Sequence, residues 1–311
     1  MHTTRVVLST LGACAVFAVA VLAQTPSVPA PGPDDLHVMT SGAFTAAFKV
    51  LAADWERSTG HKVISIYGSS IGAAPTTIPN RLARGERADV VILARSSLDA
   101  LAKDGKVVNG SQVDLADSRI AMAVRTGAPT PSISSVEQFR QVLLDARSIS
   151  ISQSASGVYI STEMFKKLGI ADQVAGKTRM VSSGFAGDAV ARGEAEIGFQ
   201  QISELLPISG ITIVGPIPDA VQRITTFSAG ISATSRSSAT ARQLVAYLAS
   251  EQARETIRRS GLDPITPARE IAFSGPPLFM TWAGPGNCFR SAAGYDPPSE
   301  RAIGRQSPSA N

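Results

Sequence analysis

Two hydrophobic periodicities alternate along this chain. A short β-like run from His37 to Met39 is followed by Phe44, Ala47, Phe48, Leu51, Ala52 and Trp55 at 3.6-residue spacing, which predicts a helix closed by Gly60. The same exchange recurs: strand Lys62–Tyr67, a short helix around Arg81, strand Ala88–Leu93, and a helix from Leu98 to Lys103 stopped by Gly105. Strands over Arg119–Val124 and Ser148–Ile151 bracket a helix carrying Val136, Phe139, Val142 and Leu143, for which Ser134 and Glu137 form a capping box. Helix Val158–Leu168, a strand near Met180, helix Gly187–Arg192, strand Ala195–Phe199, a helix around Leu205 and strand Ile211–Val214 continue the series. Thr225–Ser232 is a last long β-like segment. A helical pair with Leu244, Val245, Leu248 and Ile257 follows and ends at Gly261. Strands alternating with helices predict an α/β fold of parallel sheets with helices on both faces.

Polar residues cluster where these strands should end. Thr40-Ser41-Gly42, Gly68-Ser69-Ser70, Ser152–Gly157 and Ser182–Asp188 are Ser/Gly-rich loops at strand-to-helix junctions. Such loops present backbone N–H groups and hydroxyls, the donor set for an anion or carboxylate. In open α/β sheets ligands bind beyond the C-terminal strand ends, so two α/β lobes sharing a cleft would bring the four loops together.

Both ends of the chain lack this periodicity. Arg5 precedes an apolar run from Val6 to Ala23, the pattern of a secretory signal peptide over residues 1–23, and a Pro-rich tether covers 24–35. Cys14 lies inside the apolar run, which continues past it, so lipidation is not expected; an uncleaved anchor is the alternative to cleavage. Pro, Gly and Ser dominate residues 271–311, read as a disordered tail containing Cys288. After signal removal Cys288 is the sole cysteine, which excludes an internal disulfide and a cysteine metal site. His37 and His61 are the histidines that remain, too few for a His-based zinc centre.

A net charge of +4 is dispersed, which argues against a nucleic-acid footprint. No P-loop or dinucleotide fingerprint occurs, and neither histidine falls near a loop. Glu194 and Glu196 read as surface turn charges. The expectation is therefore a binding protein without catalytic residues or cofactors.

The series Thr40-Ser41-Gly42-Ala43-Phe44, Tyr67-Gly68-Ser69-Ser70 and Arg84-Gly85-Glu86-Arg87-Ala88-Asp89-Val90-Val91-Ile92 resembles the periplasmic molybdate-binding proteins of ABC importers. Gly157-Val158-Tyr159, Lys167-Leu168-Gly169 and Arg192-Gly193-Glu194-Ala195 resemble that family's second lobe, and the likeness runs from His37 to Gly261. The resemblance implies a two-lobed type II periplasmic binding protein fold, with lobe I over 36–122 and 223–270 and lobe II over 123–222. It implies a periplasmic protein, a monomer, that hands a molybdate- or tungstate-like oxyanion to an ABC-transporter permease. A small organic carboxylate or another oxyanion is the alternative ligand, and a ligand-sensing domain for a signalling partner the alternative role. Carried over by position, the ligand contacts fall on Ser70 with Ser69 beside it, on Ala43 with Ser41 as its stand-in, on the backbone near Ser156 and Ser183, and on Gln201 where the family has Tyr. Arg95, at the end of a strand, either turns outward or enters the cleft, where it would favour a bidentate carboxylate. Tyr67 and Tyr159 are expected to pack beside the cleft.

Overall fold

The computed structural model describes residues 35–181 and 184–265. The expected signal segment with Cys14, the tether up to residue 34, Ser182, Ser183, and the tail with Cys288 lie outside the described residues.

The first half of the chain forms β1 (Leu36–Ser41), α1 (Gly42–Thr59), β2 (Val63–Gly68), α2 (Ile78–Ala83), β3 (Val90–Ala94), α3 (Arg95–Lys103), β4 (Val113–Ser118), β5 (Ile120–Arg125) and α4 (Val136–Asp145). Next come β6 (Ile149–Ser152), then α5 (Ala155–Tyr159), which passes through a π-helical turn (Ile160–Met164) into α6 (Phe165–Lys167). The remainder is α7 (Ala171–Ala175), β7 (Thr178–Val181), α8 (Ala186–Ala191), β8 (Ile197–Gln201), α9 (Ile202–Leu205), β9 (Ile211–Pro216), β10 (Thr225–Ile231), α10 (Ser238–Leu248), α11 (Glu251–Arg259) and the two-residue β11 (Asp263–Pro264).

These strands build two sheets, ordered β11-β4-β10-β3-β1-β2 and β7-β6-β8-β5-β9. In the first, β1 lies parallel to β2 and β3; in the second, β6 lies parallel to β7 and β8. The sheets are mixed rather than purely parallel, because β10 and β4 in one and β5 and β9 in the other run antiparallel to their neighbours. Those are the strands that carry the chain between lobes: β4 passes through Arg119 into β5, and β9 returns to β10 through residues 217–224. Gln222 ties the two crossings together, accepting from Ile120 N at 2.9 Å and donating from its Nε2 to Ile120 O at 2.9 Å.

Strand β3 shows why the first sheet is covered on both faces. All five of its residues are buried; Val90 and Ile92 point into the core beneath α1, α10 and α11, while Val91 and Leu93 point into the core beneath α2 and α3. Each such side chain removed from water contributes about 1.5–3 kcal/mol. Strand β5 is asymmetric. Ile120, Met122 and Val124 enter the main core of lobe II, whereas Ala121 and Ala123 leave room for Leu205 of α9 on the other face.

Two local expectations are corrected. The α4 cap is Ser135, whose Oγ accepts from Gln138 N at 3.2 Å, while Ser134 bonds the Gln138 side chain instead. The helix expected from Val158 begins at Ala155, directly behind the Ser152 loop.

Candidate functional site

A cleft of about 450 Å³ opens between the lobes, lined by the ends of β1, β2, β6, β7 and β8, the loops after β2 and β7, and residues of α1, α5 and α9. Ser41, Ala43, Ser69, Ser70 and Gln201 all line it.

At the first wall, Ser41 closes β1 in extended conformation and Gly42 starts α1. The Ser41 hydroxyl does not cap the helix, and it is buried with no hydrogen-bond partner among the described residues. A long helix carries partial positive charge at this end, so hydroxyl and backbone N–H groups together form an anion-facing edge. In the next loop the Ala94 N–H donates to Ser70 Oγ at 2.9 Å, leaving the hydroxyl hydrogen to point elsewhere. Ser69 Oγ donates to Ile71 O at 2.8 Å. Gly68 is required there, since a Cβ would meet Thr76 O at 2.4 Å.

The opposite wall comes from lobe II. Ser152, Ser154 and Ser156 form a relay of hydroxyls, with Oγ–Oγ separations of 2.7 and 3.1 Å. Ser152, Gln153, Ser154 and Ala155 face the cleft; Ser156 sits behind Ser154, fully buried, and does not line it. Gly157 lets the helix close over the strand end, because a Cβ would lie 1.7 Å from Ser152 O. At the α8 start Ala186 N donates to Gln200 Oε1 at 2.6 Å, so that amide is already occupied. Ser183 lies outside the described residues. Gln201 spends its side chain on the interlobe crossing: Ser118 Oγ donates to its Oε1 at 2.8 Å, and its Nε2 donates to Thr225 Oγ1 at 3.3 Å.

Arg95 does not line this cleft. Its guanidinium donates to Asp99 Oδ1 at 2.8 Å and Asp114 Oδ1 at 2.7 Å, which turns it toward a second cavity of about 360 Å³ beside Arg223. Tyr159 is buried and donates to Val221 O at 2.8 Å. Tyr67 was expected only to pack; it is 43% exposed and forms part of the cleft wall.

The residue that sequence reasoning missed is Glu204. It belongs to α9 of lobe II and reaches across the cleft floor to the first residue of α1 in lobe I. A Cβ on Gly42 would lie 2.0 Å from its Oε1, so glycine makes the seat for this carboxylate. Glu204 is 6% exposed, and its Oε2 is without a hydrogen-bond partner among the described residues. Burial pushes its carboxyl up to about 7, with the Gln200 side chain and the Gln201 backbone offsetting part of the rise. A buried carboxyl raised toward neutrality and facing a ligand cleft is suited to taking up and returning a proton. Glu194 and Glu196 are surface groups paired with Arg192 and Arg147, as expected. Among the described residues no three His, Cys, Asp or Glu side chains gather in a way that could hold a metal ion.

With this geometry in view, the relatives are informative. The model of the bacterial extracellular solute-binding protein family matches residues 36–263. The chain belongs to that family. As its name says, the family consists of extracellular proteins that bind a solute. The periplasmic molybdate-binding protein of Azotobacter vinelandii superposes with a TM-score of 0.61 at 23% identity, covering 73% of this chain and 98% of its own. The substrate-binding domain of a putative molybdenum ABC transporter from Clostridium difficile gives 0.58 at 16% identity, covering 74% and 99%. The fold is therefore the two-lobed type II periplasmic binding protein fold that the resemblance implied. In sequence, the Azotobacter vinelandii molybdate-binding protein is 25% identical over 237 residues, 73% of this chain and 89% of its own.

A protein named aconitate isomerase, from a Pseudomonas species, is 44% identical over 244 residues, covering 78% of this chain and 93% of its own. That relative is named for an enzyme, and it overturns the expectation that the chain is not one. The expectation rested on missing nucleotide-binding motifs and on histidines placed away from the loops.

Proposed function

We propose that this protein is an isomerase of an unsaturated polycarboxylate of the aconitate type, working in the interlobe cleft with Glu204 as the proton carrier. The observation that carries the proposal is the buried Glu204 carboxyl, seated against Gly42 and facing a cleft of anion-binding donors, in a chain 44% identical to a protein named aconitate isomerase.

The chemistry follows from the substrate. Aconitate carries a methylene group that is both allylic and next to a carboxylate, so its hydrogens are acidic enough for a well-placed base. Ionised Glu204 removes one of them. The electron pair spreads over the three-carbon allyl unit and its carboxylates, and the same proton is returned to the carbon that was vinylic. The double bond shifts by one carbon, no proton is gained or lost, and Glu204 ends as it began. The carbon skeleton is symmetrical about its central carbon, so the product is again aconitate. Whether it is cis or trans depends on the torsion at which the cleft holds the methylene arm when the proton leaves. No rotation about an intact double bond is needed.

The cleft's other groups position the substrate. The α1 start with the Ser41 hydroxyl, the Ser69–Ser70 loop and the Ser152–Ser154 hydroxyls supply donors from both lobes for carboxylate oxygens. Lobe closure over the ligand would exclude water from the carbanion. Molybdate and tungstate lose their place as expected ligands in this proposal, and the small organic carboxylate takes it.

The test is direct: incubate the purified protein separately with cis- and with trans-aconitate and follow both isomers by proton NMR. The account requires approach to the same mixture from either side, faster than in protein-free buffer. Binding of both isomers without interconversion would leave a carrier of polycarboxylates and refute the isomerase.

A further inference from the structure

Lys49 is the one cation lining the main cleft among the described residues, and Glu204 the one anion. It lies on α1 at a spacing that repeats the helix face: Gly42, Thr45 and Lys49 are three and four residues apart, and all three line the cleft. Gly42 and Lys49 are thus about 10 Å apart along the helix axis. The anion-facing start of α1 and the lysine therefore mark the inner and outer ends of one wall.

Its surroundings set Lys49 apart from the arginines near the clefts. Arg95 is paired with Asp99 and Asp114, and Arg223 with Glu163. Lys49 makes no salt bridge among the described residues; its ammonium is held over the Tyr67 ring, 5.4 Å from the centroid. A cation on an aromatic face keeps its charge and its three donors available to an incoming acceptor. A helix start offers only a fraction of a unit charge, and the ionised Glu204 adds a like charge to any polycarboxylate. A small tetrahedral oxyanion would fill the inner end alone, whereas a tricarboxylate is large enough to need a partner at the outer end.

We propose that Lys49, oriented by Tyr67, is the specificity-determining group that pairs with a second carboxylate of the substrate and so selects polycarboxylates over single-headed anions. This rests on the isomerase reading above and names the group that would give that site its substrate class.

The experiment is isothermal titration with tricarballylate, the saturated tricarboxylate, which reports binding without turnover, on the wild type, Lys49→Met and Lys49→Arg. Losing one charge-assisted contact should weaken tricarballylate by roughly 10- to 100-fold in Lys49→Met, and Lys49→Arg should recover most of it. The salt dependence of binding should also flatten in Lys49→Met. In the turnover assay the Met variant should raise KM for aconitate and leave kcat within a few-fold, a split that a merely structural lysine would not produce. Equal tricarballylate affinity in the wild type and Lys49→Met overturns the Lys49 assignment alone. A wild type that binds no tricarboxylate overturns the isomerase reading and this inference with it.

Discussion

Replacing Gly42 by alanine isolates the contact on which the proton-carrier role of Glu204 depends. Gly42 has no left-handed backbone angle to protect, and alanine is the better helix former by about 1 kcal/mol. Local propensity alone therefore favours the substitution. The new Cβ, however, would sit 2.0 Å from Glu204 Oε1 and 3.1 Å from its Cδ. Contacts below 3.0 Å are not tolerated, so the carboxylate must withdraw by at least about 1 Å. Overpacking of this kind costs about 1–3 kcal/mol, which offsets the helix gain or outweighs it by up to about 2 kcal/mol, so the melting temperature should fall by no more than about 8 °C. The functional effect is larger, because a misplacement of about 1 Å at a reacting group costs on the order of 10²-fold in rate. Gly42→Ala should therefore lose about two orders of magnitude in kcat for aconitate while still binding tricarballylate. Wild-type kcat in Gly42→Ala would refute the reasoning, since the carboxylate could then not have been needed where it stands.

Glu204→Gln should abolish isomerisation yet stabilise the protein at alkaline pH. The folded-state value of about 7 lies above the ordinary carboxylate value, so the folded state holds more protons than the unfolded one between about pH 4.5 and 7, and stability falls as pH rises through that window. Denaturant unfolding should show the wild type losing about 3 kcal/mol relative to Glu204→Gln between pH 4.5 and 8; parallel pH profiles would contradict the burial of this group. In the wild type kcat/KM should rise with pH through about 7 as the base ionises. Asp89 is buried and accepts from His37 N, Ser235 Oγ and Arg236 N, each at 2.9 Å. Burial alone would raise its carboxyl, but these donors and nearby Arg87 hold it below the ordinary range, so its contribution is present at neutral pH and lost as pH falls below about 4. Asp89→Asn should cost about 2–4 kcal/mol at pH 7 in urea unfolding, with little change in aconitate KM.

The loops that line the cleft were legible because Gly and Ser at the end of a β-run force a turn and leave donors exposed, a property of a few adjacent residues. Strand β4 was not legible. Val113-Asp114-Leu115-Ala116-Asp117-Ser118 carries two acids that read as a loop, and only the tertiary structure gives them partners: Asp114 accepts from Arg95 and Ser228, and Asp117 from Thr226. The antiparallel direction of the crossing strands escaped for a similar reason, since direction is decided by where the partner lobe lies. Gln201 lines the cleft, but its amide is taken by Ser118 and Thr225, which stand 83 and 24 residues away. Glu204 sits in an ordinary Ile-Ser-Glu-Leu helix. Nothing local says that its carboxyl is buried; the small Ala121 and Ala123 and the missing side chain of Gly42 make room for α9 and its acid.

The most direct test of the account is proton NMR of cis-aconitate in D₂O with the wild-type protein and with Glu204→Gln. The account predicts that trans-aconitate accumulates with the wild type and not with the variant. It also predicts that any deuterium gained appears only at the methylene and vinyl positions that Glu204 serves. Bound aconitate that neither isomerises nor exchanges a carbon-bound hydrogen with the wild-type protein would contradict it.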